Sequence, residues 1–336
     1  MKKRIGLALI TLASVSLFSC SENISKKVLY FNTTIDMDLY SATQTNSDYI
    51  LSYFSTMSDL TDAYNEPLKA SANLYTINHT NDPVVVDDKL RDILQFAIDM
   101  QKETEGYFNP LVGKLTSLWK DGINGIVDGV QTNPAVPYIP SDAAIKEALD
   151  ETNSSTLTIV GNTVTRTGRG VVDLGALAKG YALREVRSYI KKQGISKYII
   201  NAGTSSIALG AASEGGKWKV SFSDYNDDHR EDGHGAYFYA SDTCIGTSSI
   251  NPQGATINGK NYSHIVNPFT GSAEASYIMA TVKYDDPGIC DVLSTVFMLI
   301  GEEKAKAYLQ KYDGLSYTFY DGSKLSYSDN MGVEEY

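Results

Sequence analysis

The sequence predicts an α+β fold, a single compact domain with a mixed, mainly antiparallel sheet and flanking helices. Two observations support this prediction. Hairpin signals recur along the chain at Gly161-Asn162, Asn258-Gly259 and Asp321-Gly322, each between residues of strand character. Helical periodicity occurs in a few long blocks and does not follow every strand, so repeating βαβ units are not indicated.

Helices are predicted where apolar residues recur every three or four positions. The predicted helices run from a cap at Asp87 to near Gly106, from Ala176 to Lys192, from Pro287 to Ile300, and, after a break at Gly301, from Glu302 to Tyr312. Strands are predicted at 28–33, 157–160, 163–167, 198–201, 218–223, 236–239 and 277–284. Residues 121–155, rich in Asp, Asn, Gly, Pro and Ser, indicate a surface excursion with a short helix.

The N-terminus has the pattern of a bacterial lipoprotein signal. Three basic residues precede an apolar stretch at 5–18, and Ser19 then stands before Cys20. We therefore expect a signal peptide at 1–19, a lipidated tether at 20–28 and the folded domain at 29–336. The expected location is an exported protein anchored by lipid to a bacterial membrane, on the periplasmic side or the cell surface. The alternative is an ordinary secretory signal in which Cys20 is incidental.

The charge of the chain argues against a nucleic-acid partner. Without residues 1–19 the chain has 26 basic and 40 acidic residues, a net charge of −14. Binding to nucleic acid needs a basic face, whereas a bound divalent cation still allows a phosphate ligand. Beyond Cys20 only Cys244 and Cys290 remain, and they are either buried free thiols or a disulfide.

One segment, 172–181, combines an acid, a glycine turn and a lysine at a helix start. Free N–H groups and the helix dipole favour a phosphate there, and Lys179 adds a positive charge near Asp173. The spacing matches neither a Walker A loop nor a dinucleotide fingerprint. The alternative is a structural turn with a helix cap.

A second pattern pairs Asp291 with Thr295, four residues apart on one helical face. A carboxylate and a hydroxyl in this relation suit a hard cation such as Mg²⁺. The alternative is an acidic residue that only compensates the helix dipole.

Two further motifs are candidates for chemistry. His264 ends a predicted strand before a Pro–Gly turn, and it is the best placed of four histidines for proton transfer; the alternative is a histidine that only bonds the turn. The turn at 104–110 carries two aromatic residues that suit a flat ring, or that simply pack in the core.

The order and spacing of these motifs resemble the ApbE-type FAD:protein FMN transferases, including related flavin-trafficking lipoproteins that hydrolyse FAD. The resemblance extends from about Asn32 to Gly314 and implies an ApbE-like, T-fold-related domain. Its most specific parts are Asp173-Leu174-Gly175-Ala176-Leu177-Ala178-Lys179-Gly180-Tyr181, His264 with Pro268 and Thr270-Gly271, and Asp291 with Thr295.

The resemblance implies a role for each matching position. FAD, the substrate, would be contacted by Met37, Tyr64, Tyr107, Phe108, Asn109, Asp173, Lys179 and Ile265. Mg²⁺, or alternatively Ca²⁺, would be held by Asp291, Thr295 and the Ala176 carbonyl, with help from Ser294. His264 would stand on the side of the acceptor, a flavoprotein with a transferable threonine.

Several positions depart from the family pattern. Asn109 replaces an Asp, Thr204 replaces a Gly, and Ser249 replaces another Gly. Three readings therefore stay open: transfer of FMN to a redox protein, hydrolysis of FAD to FMN and AMP, and flavin binding without catalysis.

Overall fold

The computed structural model describes residues 22–68, 72–131, 134–212, 216–222, 225, 235–251 and 253–336. The predicted signal peptide and the lipidation site at Cys20 lie outside these residues. Among the described residues, no helix has both the length and the apolar character needed to cross a bilayer.

Seven α-helices occur in the described residues. They are α1 Gln44–Leu60, α2 Leu74–Asn78, α3 Asp88–Glu103, α4 Gly113–Asn124, α5 Asp142–Asn153, α6 Ala178–Lys192 and α7 Pro287–Lys311. The predicted caps hold: the Asp87 side chain accepts the Lys89 N–H, and Pro287 is in the first turn of α7. Gly301 has a positive φ of 75° inside α7, so the predicted break is a kink between two helical halves.

The strands of the first half are β1 Glu22–Tyr30, β2 Thr33–Ala42, β3 Val84–Val85, β4 Ile126–Val127, β5 Val130–Gln131, β6 Thr156–Val160, β7 Thr163–Thr167, β8 Tyr198–Ala202 and β9 Ser206–Leu209. The strands of the second half are β10 Trp218–Ser221, β11 Ala236–Ala240, β12 Thr243–Ser249, β13 Gly254–Ile257, β14 Lys260–Ser263, β15 Met279–Tyr284, β16 Ser316–Tyr320, β17 Leu325–Tyr327 and β18 Val333–Glu335. All three predicted hairpins form.

The largest sheet has eight strands in the order β1-β2-β8-β9-β12-β15-β16-β17, and every neighbouring pair is antiparallel. This confirms the predicted α+β class and the mainly antiparallel sheet. Helix α7 packs on β12 and β15 and also contacts α6. The chain therefore places the starts of α6 and α7 side by side on the central strands.

Gly246 in β12 permits the close approach of α7. A Cβ atom added there would lie 2.7 Å from the Asp291 backbone nitrogen, which is closer than packed atoms tolerate. A glycine at this position lets the first turn of α7 lie flat against the sheet. The main apolar core is continuous around these elements and includes Cys244 and Cys290, which are buried free thiols as one of the two alternatives expected.

The structure corrects the predicted tether. Residues 22–28 are not a flexible link but part of β1, which pairs along its length with β2. Their polar side chains alternate with half-buried ones on an edge strand, and such a pattern is hard to distinguish from a linker. The segments α1 and α4 were not predicted, because their apolar residues are interspersed with Ser, Thr, Asp and Gly.

Candidate active site

The starts of α6 and α7 meet at one short hydrogen bond. The Gly180 N–H donates to Asp291 Oδ2 at 2.7 Å, and the Ser206 hydroxyl donates to the same oxygen at 2.8 Å. No hydrogen bond within the described residues reaches Asp291 Oδ1. The carboxylate is therefore held through one oxygen, while the other remains available for a ligand.

The contact uses a free N–H of the first turn of α6. Gly180 is the third residue of α6, after the N-cap Leu177, and the N–H groups of a first helical turn have no partner within the helix. The carbonyl of Ala176, just before the helix, accepts no main-chain hydrogen bond in the described residues. One oxygen at each of the two positions expected to hold a metal is thus without a donor.

Hydroxyl groups surround the first turns of α7. Ser248 Oγ lies 2.8 Å from Ser294 Oγ and 3.0 Å from Thr295 Oγ1, and both α7 hydroxyls also donate to the Asp291 carbonyl. Ser248 stands on β12, so the strand and the helix share one cluster of oxygens. Ser294 is almost fully buried, whereas Thr295 is only partly buried.

The electrostatics of Asp291 favour capture of a cation. Burial raises the pKa of its carboxyl to about 6, while Lys179, Ser206 and the Gly180 amide favour the charged form. A carboxylate that has lost water in this way gains from a cation that neutralises it. The described residues contain no group of three or more His, Cys, Asp or Glu side chains that could hold a metal ion. A metal here would therefore depend on hydroxyl, carbonyl and phosphate oxygens, which suit Mg²⁺ or Ca²⁺.

Asp173 fixes the turn before α6. Its Oδ1 accepts the Gly175 N–H at 2.7 Å, and its Oδ2 accepts the Thr116 hydroxyl at 2.9 Å. The predicted Asp–Gly turn at the helix start is therefore present. Thr116 was not singled out from the sequence, because its helix α4 was not predicted.

Lys179 is close to both Asp291 and His264. It acts on the pKa of Asp291 and of His264, which places its charge near both groups. No ion pair to Lys179 is found in the described residues, so its ammonium is available to an anionic ligand.

His264 follows β14 and is partly buried. Burial lowers the pKa of its imidazole first, the positive charge of Lys120 lowers it further, and Lys179 adds a smaller effect in the same direction. The Gln253 backbone and Asp173 oppose the shift. His264 is therefore neutral near pH 7, the form that accepts a proton.

Lys120 is a functional candidate that the sequence did not reveal. It lies on α4, influences His264 and sits 5.9 Å from the centre of the Tyr64 ring. Tyr64 is 55% exposed and lies near Lys120, and its assignment to FAD stays a prediction. A single lysine carries no sequence signal of its own, so only the fold connects Lys120 to His264.

The aromatic turn is ordered by Thr104. The Thr104 hydroxyl accepts the Phe108 N–H at 3.0 Å, and Phe108 packs into the core. Tyr107 makes an edge contact with Phe269, with ring centres 5.0 Å apart. Phe269 is 54% exposed and follows His264 by five residues, so the turn and the histidine loop present aromatic rings together.

Three predicted FAD contacts have structural roles in this state. Asn109 Oδ1 accepts the Leu111 N–H at 2.9 Å, which forms a turn. Met37 pairs with Ile200 in the central sheet and is 1% exposed. Ile265 is buried beside His264. Their assignment to FAD stays a prediction, and for Met37 a contact through the side chain would require a change in packing.

Two cavities are lined by residues of the loop that follows His264. One of about 460 Å³ is bordered by Trp119, Tyr262 and Glu274, and one of about 280 Å³ by Asn267, Glu274 and Met298. They share Thr270 and Ser272 of the loop. Neither cavity is lined by Asp291, Lys179 or His264. The candidate site is therefore defined by its polar groups and does not coincide with either cavity.

Comparison with known proteins gives a family match over most of the chain. The model of the ApbE family matches residues 31–319. This range contains every candidate residue described above. It confirms the resemblance that the motifs indicated.

Two relatives illustrate the level of sequence similarity. The chain is 28% identical over 232 residues to the FAD:protein FMN transferase of Vibrio cholerae serotype O1, covering 68% of this chain and 66% of that protein. It is 26% identical over 240 residues to the FAD:protein FMN transferase of Escherichia coli strain K12, covering 70% and 65%. The matched segments thus span about two thirds of each relative.

Solved structures show the same fold. The flavin transferase ApbE from Vibrio cholerae aligns with a TM-score of 0.71 at 22% identity, covering 94% of this chain and 97% of that one. The ApbE protein from Thermotoga maritima aligns with a TM-score of 0.74 at 22% identity, covering 92% and 97%. At such identities the likeness establishes the fold alone.

Proposed function

Because this chain belongs to the ApbE family, we propose that it transfers the FMN moiety of FAD to a threonine hydroxyl of an exported or membrane redox protein, releasing AMP. The observation that carries the proposal is the pairing of Asp291 with the start of α6. In the described residues, one oxygen of this carboxylate and the Ala176 carbonyl accept no hydrogen bond, and Lys179 is close enough to act on the pKa of Asp291. The relatives named FAD:protein FMN transferase add support.

The residues that would hold Mg²⁺ are Asp291, Thr295 and the Ala176 carbonyl. Ser248 would stabilise this set of ligands through its hydroxyl contacts with Ser294 and Thr295. When bound, the metal neutralises the charge of the pyrophosphate and of the leaving phosphate. The donor set of hard oxygens fits this ion and its Ca²⁺ alternative.

The protein's own groups then orient FAD. Lys179 attracts the pyrophosphate, since its ammonium has no ion pair within the described residues, and the positive N-terminal end of the α6 dipole adds to this attraction although its Gly180 N–H is bonded to Asp291. Lys120 adds a second cation near His264. Of the aromatic residues expected to contact FAD, Tyr107 and Tyr64 are accessible enough to contact a flat ring, whereas Phe108 is buried.

The transfer step requires one proton acceptor. The threonine oxygen forms a bond to the FMN phosphorus, and the bond from that phosphorus to the AMP phosphate breaks, with AMP taking the electron pair. His264, neutral near pH 7, accepts the hydroxyl proton. Hydrolysis differs only because water supplies the oxygen.

Incubation of the purified chain with FAD and Mg²⁺, with and without a threonine-bearing acceptor peptide, tests the proposal. We expect FMN-labelled peptide and stoichiometric AMP, detected by mass spectrometry and chromatography. Free FMN and AMP without labelled peptide would favour FAD hydrolysis. Intact bound FAD would overturn both enzymatic functions.

Asp291→Ala is the matched test of the metal site. It removes the carboxylate and should abolish Mg²⁺-dependent transfer. Asp150→Ala, which removes a carboxylate exposed on α5 and paired with Lys146, is the control and should leave transfer unchanged. Unchanged activity in Asp291→Ala would remove the metal assignment.

We further propose that the protein is exported and anchored by lipid at Cys20. The basic, apolar and Ser19–Cys20 segments of the sequence support this location. Expression with a labelled fatty acid should label the wild type and not Cys20→Ala. Equal labelling of both proteins would refute lipidation at this residue.

A further inference from the structure

Ser206 is buried at the first position of β9, where the main sheet meets both active-site helices. Its side chain is fully inaccessible to solvent, and its hydroxyl is 2.8 Å from Asp291 Oδ2. Ser205 Oγ lies 3.4 Å from the same hydroxyl. A buried hydroxyl needs a partner, and here the acceptor is the carboxylate that the proposed function assigns to the metal.

The register of the sheet explains why so short a side chain reaches α7. Ser206 stands opposite Gly246 in the β9–β12 pair. Gly246 lets the α7 backbone at Asp291 approach the sheet, because a Cβ atom there would lie 2.7 Å from the Asp291 nitrogen. The Asp291 carboxylate consequently lies within hydrogen-bond distance of Ser206 on β9.

The two donors to Asp291 come from different elements and act on one oxygen. Gly180 approaches from α6 and Ser206 from β9, and both bond Oδ2. Two fixed donors on one oxygen restrict the rotation of the carboxylate. Oδ1 is then fixed as well, and no described group donates to it.

We propose that Ser206 is a positioning residue that orients Asp291 for metal binding. The inference rests on the proposed function, since it needs a cation at Asp291. Ser206 does not touch the metal or FAD; it acts through the carboxylate. Groups that orient a metal ligand commonly change metal affinity by about 10- to 100-fold when they are removed.

The test compares Ser206→Thr with Ser206→Val, which have nearly the same shape and differ by a hydroxyl in place of a methyl. Mg²⁺ binding to the full chain is measured by calorimetry without FAD, and unfolding temperature is measured in EDTA. We expect Ser206→Val to weaken Mg²⁺ binding about 10-fold or more relative to Ser206→Thr. The unfolding temperatures in EDTA report what the lost hydrogen bond contributes to stability without metal, and a purely structural residue would change these temperatures without changing Mg²⁺ affinity.

Two controls separate failure of this inference from failure of the proposed function. Ser205→Ala removes the neighbouring hydroxyl and should leave Mg²⁺ affinity near the wild-type value. Asp291→Ala should abolish binding. If Asp291→Ala loses Mg²⁺ while Ser206→Val binds as tightly as Ser206→Thr, the role of Ser206 is refuted and the metal site stands. If the wild type binds no Mg²⁺ even after FAD is added to supply phosphate oxygens, the metal step of the proposed function fails and the inference fails with it.

Discussion

The Gly180 amide and the Asp291 carboxylate, 111 residues apart in the chain, meet at 2.7 Å. The contact joins two of the three segments that resemble the family most specifically. It occupies one carboxylate oxygen of Asp291 and leaves the other without a hydrogen-bond donor in the described residues.

Gly180→Ala should disrupt the junction. The new Cβ atom would stand 2.7 Å from Asp291 Cγ and would also press on the Pro287 carbonyl. We expect a loss of about 1–3 kcal/mol in the free energy of unfolding, together with loss of transfer. Urea titration measures the first effect. Gly216→Ala is the control, since an added Cβ there meets nothing within 4 Å; equal effects of the two substitutions would contradict the prediction.

Asp291→Asn should stabilise the protein when no metal is present. Burial raises the pKa of Asp291 to about 6 in the folded state, above the value of about 3.9 for an unfolded chain. The folded protein therefore retains a proton that the unfolded chain has lost, and stability falls as pH rises through this window. At pH 7.5 in EDTA the variant should unfold at least about 2 °C above the wild type, with the difference vanishing near pH 4. If the variant and the wild type unfold at the same temperature at both pH values, ionisation of Asp291 does not destabilise the folded protein.

His264→Ala should leave FAD affinity close to that of the wild type and reduce the rate of transfer. Loss of a positioned proton acceptor commonly costs about 10²- to 10⁴-fold in rate. Flavin fluorescence measures binding, and labelling of the acceptor peptide measures transfer. His79→Ala, which removes an exposed histidine stacked on Tyr75, is the control. Loss of FAD binding in His264→Ala would make His264 a structural residue.

Lys120→Met should raise the pKa of His264, because one of the charges that lowers it is removed. On acidification, the His264 imidazole would then become protonated at a higher pH than in the wild type. The acid limb of the transfer rate should consequently move to higher pH than in the wild type. Lys146→Met provides the control, since Lys146 is paired with Asp150 on the exposed face of α5. An unmoved acid limb would remove Lys120 from the site.

Cys244 and Cys290 should resist thiol reagents in the native protein. Both are fully buried, and burial raises the pKa of the Cys244 thiol to about 12 and that of Cys290 also above its ordinary value. The reactive thiolate is therefore scarce at neutral pH. A chromogenic disulfide reagent should label neither residue until denaturant is added. Fast labelling of the folded chain would contradict the burial of these thiols.

Local patterns in the sequence were enough to predict the class of fold and most of its elements. The three hairpin turns, the caps at Asp87 and Pro287 and the break at Gly301 depend on nearest neighbours, and the structure confirms all of them. The same kind of local pattern gave a wrong prediction at residues 22–28, which were expected to form a tether. Pairing with β2 determines the conformation of these residues.

Only the tertiary structure decided how the candidate groups face each other. Nothing in the neighbourhood of Ser206 or Lys120 marks either residue, because their importance comes from Asp291 and His264, which are distant in the chain. Asp291 and Thr295 were found from the sequence since four-residue spacing on a helix is local. Their donors and counter-charges come from α6, β9 and β12, and packing of the sheet at Gly246 brings these elements together.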